Sequence, residues 1–282
     1  MSNTNRIFLE RLGNPNDDYY TLYEDVRKDL EHYKEHFRGK TIYCPCDDYR
    51  WSNFVKYFKD NFRTLGLKTL LASNYDIGDG AYAYKYDGKV EITLKLAKGD
   101  FLTTEVDNPL RTCDIIVTNP PFSLLRKIFD RIREAEKDFI IMGPLTAAAY
   151  SNVLPYIVSG EVNVDSKRSK TFSNGKKLAN IIWLTTFTPP RHSMEFTEAY
   201  APEKYRRYDR YPDTINVDRS KDIPKDYYGK MGAPLSFIKY LHREEFNLLG
   251  EVKEPFIEGA KKFRRLLVQR KKQEDYLING EY

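Results

Sequence analysis

The chain has 282 residues, with 46 Lys and Arg against 41 Asp and Glu, and a net charge of +5 when His is neutral. Hydrophobic residues make up 41% of the sequence, enough for one large α/β domain and a smaller appendage. No apolar run reaches the ~20 residues that cross a bilayer, and residues 1–6 lack the apolar segment of a secretory signal. We therefore expect a cytoplasmic protein without membrane contact.

Hydrophobic periodicity predicts helices and strands in alternation over the first two thirds of the chain. In chain order the prediction is a helix over 24–37, a strand over 41–44, a helix over 52–65, a strand over 69–72, a hairpin over 82–96, a strand over 115–118, a helix over 124–135, and strands over 139–142 and 180–184. Asp87-Gly88 is a typical hairpin turn. The repeated order of strand, turn and helix predicts a Rossmann-like α/β sheet, largely parallel, with helices on both faces.

The pattern changes in the last third of the chain. Pro189-Pro190 interrupts it, and the following residues are rich in Tyr, Pro, Asp and Arg with little periodicity. Two short apolar runs, 235–241 and 246–252, are typical of strands. We predict a larger domain over 1–190 and a smaller C-terminal region over 191–282.

The most informative motif is Asn119-Pro120-Pro121-Phe122, which directly follows the β-branched run of a predicted strand. The two prolines fix φ and donate no backbone N–H, so they hold Asn119 and Phe122 stiffly above the sheet edge. The Asn119 side-chain oxygen and the Pro120 carbonyl can each accept a hydrogen bond from an exocyclic amine, and Phe122 can stack on the ring that carries it. A rigid strand end without chemistry is the other interpretation.

This tetrapeptide resembles the catalytic motif of amino-group methyltransferases that use S-adenosylmethionine. Asn in first place is similar to the adenine-N6 subset. Glutamine-modifying protein methyltransferases and some RNA methyltransferases share a closely similar tetrapeptide, so the substrate stays open at this point. Methyl transfer from a sulfonium to an amine is an in-line displacement, which needs alignment of the amine and no strong base. The chain's four histidines all lie away from the predicted strand ends.

A cofactor site is predicted beside this turn, because ligands of parallel sheets bind past the C-terminal ends of the strands. The block Cys44-Pro45-Cys46-Asp47-Asp48 follows the first strand, where a glycine-rich turn is often found. S-adenosylmethionine has no phosphates, so such a turn is not required. Asp47 and Asp48 suit a ribose diol or a cationic ammonium. With three cysteines and four scattered histidines, the sequence predicts no disulfide framework and no metal site.

Two further acidic residues are candidates for the same cofactor. Asp76 follows the second strand and suits the ribose. Asp100 is placed to accept a hydrogen bond from the adenine amino group, with Phe101 beside the ring. Each of these side chains also fits a simple turn carboxylate.

Longer segments resemble the EcoRI-type adenine-specific DNA methyltransferases. The resemblance covers nearly the whole chain and rests on Asp18-Tyr19-Tyr20-Thr21, on 31–37, on the 42–48 block, on Ser52-Asn53-Phe54, and on 223–234 with Phe237. It implies that Tyr20 and Thr21 lie over the methionine end of the cofactor, and that target recognition falls mostly to residues after Phe172, including 191–282. Leu22 and Tyr49 depart from the family pattern, where proline is common.

A target base inside a duplex must be flipped out before it can enter such a site. We predict that Phe172 stacks on the flipped base from a basic loop and that Lys167, Arg168, Lys170 and Lys176 contact DNA. A solvated basic loop anchored by Phe172 is the alternative, and Trp183 is assigned to the core.

The sequence therefore predicts a site-specific DNA adenine-N6 methyltransferase that uses S-adenosylmethionine and acts on double-stranded DNA. An RNA or protein-glutamine methyltransferase with the same pocket, and an inactive nucleic-acid-binding or anti-restriction protein, are the alternatives.

Overall fold

The computed structural model describes residues 21–166, 170–171, 177–178 and 180–272. The chain divides into two compact units. The first is Met1–Pro144 with Asp165–Pro189, and the second is Leu145–Val164 with Pro190–Tyr282. The domain boundary at 190 stays a prediction. The compact units differ from it in the segment 145–164, which belongs with the C-terminal residues.

The first unit is built on one large sheet. The strands up to residue 185 are β1 (Thr41–Pro45), β2 (Thr69–Ser73), β3 (Ala81–Tyr86), β4 (Glu91–Leu96), β5 (Ile115–Thr118), β6 (Asp138–Pro144), β7 (Asn163–Ser166), β8 (Lys170–Thr171), β9 (Lys177–Leu178) and β10 (Ile181–Thr185). Among the described residues the sheet has the order β4-β3-β2-β1-β5-β6-β10-β7, and β8 and β9 pair separately. Strands β2, β1, β5 and β6 are parallel, whereas β3, β4 and β10 are antiparallel to their neighbours.

The strand order reverses at β1, because β2 lies on one side of it and β5 on the other. A crevice forms at such a switch point, beyond the carboxyl ends of the two diverging strands. The residues after β1 and β5 are the two motifs that the sequence singled out, Cys46-Asp47-Asp48 and Asn119-Pro120-Pro121-Phe122. The predicted α/β architecture is confirmed, and it brings these motifs to one edge of the sheet.

Helices cover both faces of this sheet. In the first unit the α-helices are α1 (Tyr23–Leu30), α2 (Asn53–Asp60), α3 (Asp107–Thr112) and α4 (Leu125–Glu134), and the 3-10 helices are Glu31–Phe37 and Thr104–Val106. The second unit has α5 (Leu154–Ser159) and the 3-10 helices Leu145–Ala149, Pro202–Lys204, Ser220–Asp222 and Leu235–Tyr240. Phe54 and Phe58 of α2 pack on one face against a core that includes Val117. On the other face, Phe129 of α4 meets Phe139 edge-on at 5.7 Å between ring centroids. Alternate side chains of the central strands therefore pack into two separate layers, one on each face of the sheet.

The second unit contains a five-stranded sheet. Its strands are β11 (Arg207–Tyr208), β12 (Tyr211–Asn216), β13 (Lys230–Pro234), β14 (Phe246–Glu251), β15 (Phe256–Ile257), β16 (Ala260–Lys261) and β17 (Arg265–Arg270). Within the described ranges the order is β11-β12-β13-β17-β14, and β15 and β16 form a separate hairpin. The segment 145–164 is tied into this unit by arginines, since Arg243 donates to Val158 O at 3.1 Å and Arg264 to Ala149 O at 2.5 Å.

Three predicted elements differ from the structure. The helix over 52–65 ends at Asp60, and residues 61–66 form turns. The helix over 24–37 is α-helical only to Leu30 and continues as a 3-10 helix to Phe37. The strand predicted over 235–241 is wrong, because Leu235–Tyr240 is a 3-10 helix. Phe237 and Ile238, adjacent in sequence, are both buried, whereas a strand with one buried face would bury alternate residues. Within the described ranges, none of the helices could span a lipid bilayer.

Candidate active site

A cavity of about 430 Å³ lies at the carboxyl ends of β1, β2 and β5. This size is within the range of about 300–1,000 Å³ that is usual for small-molecule sites. The residues predicted for the site that line it are Thr21, Cys46, Asp47, Asp48, Asp100, Phe101, Asn119, Pro120, Pro121 and Phe122. The predicted catalytic turn and most of the predicted cofactor residues thus share one cavity.

The predicted catalytic turn, residues 119–122, lies between β5 and α4. Thr118, the last residue of β5, is fully buried, and the half-buried Phe122 packs against the main core. Beyond the prolines the chain re-enters regular structure at once, since Leu124 N donates to Pro121 O at 2.9 Å. The side chain of Asn119 is half-buried and faces the cavity. The turn is therefore anchored on both sides.

A buried polar cluster links the catalytic turn to the turn after β1. The Thr118 hydroxyl donates to the Pro45 carbonyl and lies 3.1 Å from the Asp47 carboxyl. On the other side, Ser52 Oγ donates to Asp47 at 2.7 Å while it also caps α2 by accepting from Phe54 N at 3.2 Å. Asp47 therefore connects the end of β1, the end of β5 and the start of α2.

The chemistry of this cluster favours a protonated Asp47. Burial raises the pKa of Asp47 to about 7, although the hydrogen bonds from Ser52 and Thr118 act in the opposite direction. The Thr118 hydroxyl has one proton but faces two acceptors, Pro45 O and Asp47 Oδ2. A proton on Asp47 removes that conflict, because the acid can then donate to Thr118. Sequence reasoning assigned Asp47 to the cofactor and missed this bond between the two turns.

The remainder of the turn after β1 is also tightly determined. Cys46 has φ of 63°, in the left-handed region that non-glycine residues seldom adopt. Asp48 forms a bidentate ion pair with Arg50, with contacts of 2.9 Å and 2.6 Å. The Arg50 guanidinium also stacks over Trp51, 4.2 Å from the ring centroid, and Trp51 itself lines the cavity. Arg50 and Trp51 were missed because no periodic pattern marks them.

The loop that carries Asp100 and Phe101 forms the facing part of the wall. Glu105 accepts backbone N–H bonds from Ala97, Lys98 and Gly99, the last two at 3.2 Å and 2.8 Å. Arg131 of α4 donates to Thr103 O at 2.7 Å, and it binds Asp107 and lies over the Phe101 ring. Phe101 is buried, and Asp100 accepts from Leu102 N at 2.9 Å.

Gly99 fixes this loop against the end of β2. Its φ is +64°, and a Cβ placed there would lie 1.9 Å from the Asn74 carbonyl oxygen. Asn74 is buried, and its side chain accepts from Tyr82 N at 3.0 Å and donates to Gly80 O at 2.9 Å. Only glycine allows so close an approach of the two loops. Asn74, which follows β2, lines the cavity as well.

Three residues predicted for the cofactor do not line the cavity. Cys44 is buried within β1, and Pro45 contributes its carbonyl to the Thr118 bond. Asp76 turns its carboxylate back onto its own loop, where Gly78 N and Gly80 N donate to it at 2.8 Å and 3.1 Å. These bonds hold the pKa of Asp76 below its ordinary value. Sequence reasoning placed Asp76 at the right strand end but could not tell a turn carboxylate from a ligand.

Several predicted residues lie outside the described part of the chain. These are Tyr20, and the DNA-contact candidates Lys167, Arg168, Phe172 and Lys176. The backbone of Lys170 begins β8. Thr21 is described and lines the cavity, with its carbonyl accepting from Asn53 Nδ2 at 2.8 Å. Trp183 is fully buried and donates to Asp29 at 3.0 Å, so its assignment to the core is confirmed.

Comparison with known proteins agrees with this arrangement of motifs. The chain is 32% identical over 319 aligned positions to the Type II methyltransferase M.EcoRI of Escherichia coli, covering 95% of this chain and 98% of that protein. It is 31% identical to the Type II methyltransferase M.MgeORF184P of Mycoplasma genitalium and 30% identical to M.MpnI of Mycoplasma pneumoniae, each over 86% of this chain and 84% of the relative.

The family model described as adenine-specific methyltransferase EcoRI matches residues 10–281. The match spans the 42–48 block, the catalytic turn and the second unit alike. A methyltransferase requires a methyl donor and an acceptor, and the cavity described above is where the motifs of both predicted sites converge. The chain belongs to the EcoRI family of adenine-specific methyltransferases.

Proposed function

We propose that this protein transfers a methyl group from S-adenosylmethionine to N6 of an adenine in double-stranded DNA. The observation that carries the proposal is the convergence of three segments on one cavity: the turn after β1, the loop with Asp100 and Phe101, and the catalytic turn of 119–122. A methyl donor and a planar amine can meet there with their reacting atoms in line. The relatives named as Type II methyltransferases support this choice of reaction.

The residues of the cavity fit the proposed cofactor. Phe101 offers a buried aromatic face for an adenine ring, and Asp100 beside it can accept from the exocyclic amine of that ring. Asp48 lines the cavity too, and its carboxylate oxygens can accept from the ammonium group of the cofactor even though Arg50 balances the charge. The cofactor supplies an electrophilic methyl group on a sulfonium. Thr21, held by Asn53, is suited to cover its methionine end, and Tyr20 keeps the same proposed role.

The catalytic turn fits the acceptor. Asn119 Oδ1 and the Pro120 carbonyl can both accept from the exocyclic NH₂ of adenine, which orients the nitrogen lone pair toward the methyl group. Phe122 can stack on the base and hold it in that position. The amine loses its proton after it has become cationic, so no strong base is needed. A base reaches this turn only when it is flipped out of the duplex.

The remaining roles are part of the same proposal. Asp76 stabilises its own loop, and Cys44 and Pro45 belong to the strand that leads to the cavity, so their effect on the cofactor is indirect. Residues 191–282 and the segment around Phe172, with Lys167, Arg168, Lys170 and Lys176, provide target recognition and DNA contact. A cytoplasmic location is included, as expected for an enzyme that modifies cellular DNA.

The proposal is tested by expressing the protein in a host without adenine methylation and mapping modified bases over the whole genome. We expect N6-methyladenine in one sequence motif. The Asn119→Ala variant serves as the matched control: it should leave no mark, yet bind S-adenosylmethionine within a few-fold of the wild type in calorimetry. Methylation found only on RNA or on protein glutamine would show that this molecule, and not DNA, is the substrate. Normal methylation by Asn119→Ala would contradict the role of the turn.

A further inference from the structure

One aromatic side chain of the second unit stands almost entirely in solvent. Phe263, between β16 and β17, is 85% exposed, more than any other large hydrophobic residue in the described ranges. Its neighbours are Lys261, Lys262 and Arg264. Isolated exposed hydrophobic residues are common on proteins, so exposure alone assigns no role. The question is whether the surrounding structure holds this ring in place.

A buried arginine fixes the backbone beneath Phe263. Arg265 is 8% exposed, and its guanidinium donates to Phe263 O at 3.5 Å and to Arg264 O at 3.4 Å. The same group reaches Asn216 at 3.4 Å and Asp218 at 3.3 Å. Asn216 in turn accepts from the buried Tyr208 hydroxyl at 2.7 Å. The carbonyl groups at 263 and 264 therefore rest on a polar network that reaches into the unit's interior.

The preceding hairpin restrains the same segment from the other side. Lys262 N donates to Pro255 O at 2.7 Å, next to the β15–β16 pair. The hairpin's turn is held by Asp209, whose carboxylate accepts from Glu258 N at 2.8 Å and Gly259 N at 3.0 Å. With the backbone fixed on both sides, only the rotamers of the Phe263 side chain lose freedom when the ring binds.

The cationic side chains next to Phe263 differ in whether they are already bound to other groups of the protein. Arg264 is engaged, because it donates to Ala149 O at 2.5 Å and lies 3.6 Å from Glu251. Across the described residues, Lys261 and Lys262 form no ion pair. One open aromatic face with two available ammonium groups matches a nucleobase between two phosphates. A lipid surface would be met by a broader apolar patch.

We propose that Phe263 is a nucleobase-stacking wedge, which inserts between base steps of DNA while Lys261 and Lys262 bind the flanking phosphates. The proposal rests on the DNA substrate proposed above and adds a binding element that the catalytic cavity does not contain. Apolar side chains inserted in this way unstack a base step. Unstacking lowers the cost of extruding a base from the duplex.

The test measures the affinity of the full chain for fluorescent duplex DNA at several salt concentrations. Stacking of an aromatic on a base is worth about 1–3 kcal/mol, so Phe263→Ala should weaken binding by roughly 5- to 150-fold without changing cofactor affinity or melting temperature. Leu249→Ala is the matched control, since Leu249 is an exposed residue (43%) of β14 in the same unit and should change affinity less than twofold. Lys261→Ala with Lys262→Ala should reduce the salt slope by about two.

A second variant gives a direct signal of stacking. Phe263→Trp should retain DNA binding. When duplex DNA is added, the fluorescence of the introduced tryptophan should be quenched by stacking, and the ring should become less accessible to acrylamide. Unchanged affinity of Phe263→Ala, in an enzyme that still methylates DNA, would overturn the wedge and leave the proposed function intact. A wild-type protein that binds no DNA would overturn both proposals. If Phe263→Ala weakened binding to anionic vesicles but not to DNA, Phe263 would be assigned to a membrane surface instead.

Discussion

The two sides of the cavity are built by different means. On the side of the catalytic turn, the contacts are made by almost fully buried side chains, since Asp47, Ser52 and Thr118 are 7%, 3% and 0% exposed. On the side of Asp100 and Phe101, the loop is held by charged groups nearer the surface. For example, Arg131 and Asp107, which form an ion pair there, are 19% and 36% exposed.

This difference separates two kinds of positioning. Buried hydrogen bonds are weakly screened and are costly to leave unmade. Partly exposed ion pairs contribute less and weaken with salt. We infer that the catalytic turn is held in one geometry, whereas the loop at 97–107 depends on backbone shape at Gly99 to reach its place. Each variant below acts on one side of the cavity.

The largest effect is expected for Gly99→Ala. The left-handed φ costs about 1–2 kcal/mol for a residue with a Cβ, and overpacking against the Asn74 carbonyl adds about 1–3 kcal/mol. Unfolding in denaturant measures the sum. Gly39→Ala is the matched control, because Gly39 has a similar φ of +71° but nothing within 4 Å of its Cβ position. Equal losses in the two variants would show that the contact with Asn74 is not restrictive.

A smaller effect is expected for Thr118→Val, which keeps the shape of the side chain and removes its hydroxyl. The Pro45 carbonyl loses its donor inside the protein, at a cost of about 1–3 kcal/mol. Methyl transfer should fall as well, because the catalytic turn follows Thr118 directly. Thr118→Ser, which keeps the hydroxyl, should recover most of both quantities. Full activity of the valine variant would mean that the prolines alone position the turn.

The last prediction concerns the pH dependence of stability. Because the folded pKa of Asp47, about 7, exceeds the ordinary 3.8, the folded state holds this proton where the unfolded chain has lost it. The contribution of Asp47 is therefore greatest below pH 3.8 and is lost as the pH rises to about 7.

The variant Asp47→Asn can mimic the protonated acid and carries no such proton. Its stability relative to the wild type should rise with pH over this interval, with a slope of at most about 1.4 kcal/mol per pH unit. Melting temperatures in a series of buffers measure it, with the exposed Asp79→Asn as the control. If the difference in stability between Asp47→Asn and the wild type did not change with pH, the proton would not be on Asp47.

Local features of the site were predictable, and pairings over long sequence distances were not. The catalytic turn could be found because a β-branched strand and two prolines are adjacent. Asp47 and Thr118 are 71 residues apart, so their bond depends on the strand order, which periodicity does not specify. The same holds for Gly99, whose role appears only when the Asn74 carbonyl is placed beside it.

Short apolar segments caused the one wrong element. The run at 235–241 is too brief to distinguish a strand from a helical turn, and the adjacent burial of Phe237 and Ile238 follows from tertiary packing. Asp76 shows a related limit at the level of a single residue. A carboxylate after a strand can cap its own loop or face a ligand, and the choice is made by backbone geometry two and four residues further on.

The path of the chain between the two units has a consequence for dissection of the protein. The polypeptide passes from one unit to the other at 144–145, at 164–165 and again at 189–190. A fragment cut at residue 190 would keep 145–164 but lose Arg243 and Arg264, whose guanidinium groups satisfy carbonyls of that segment. Two fragments from a single cleavage therefore cannot reproduce the two units, because each unit is made of two separate stretches of the chain.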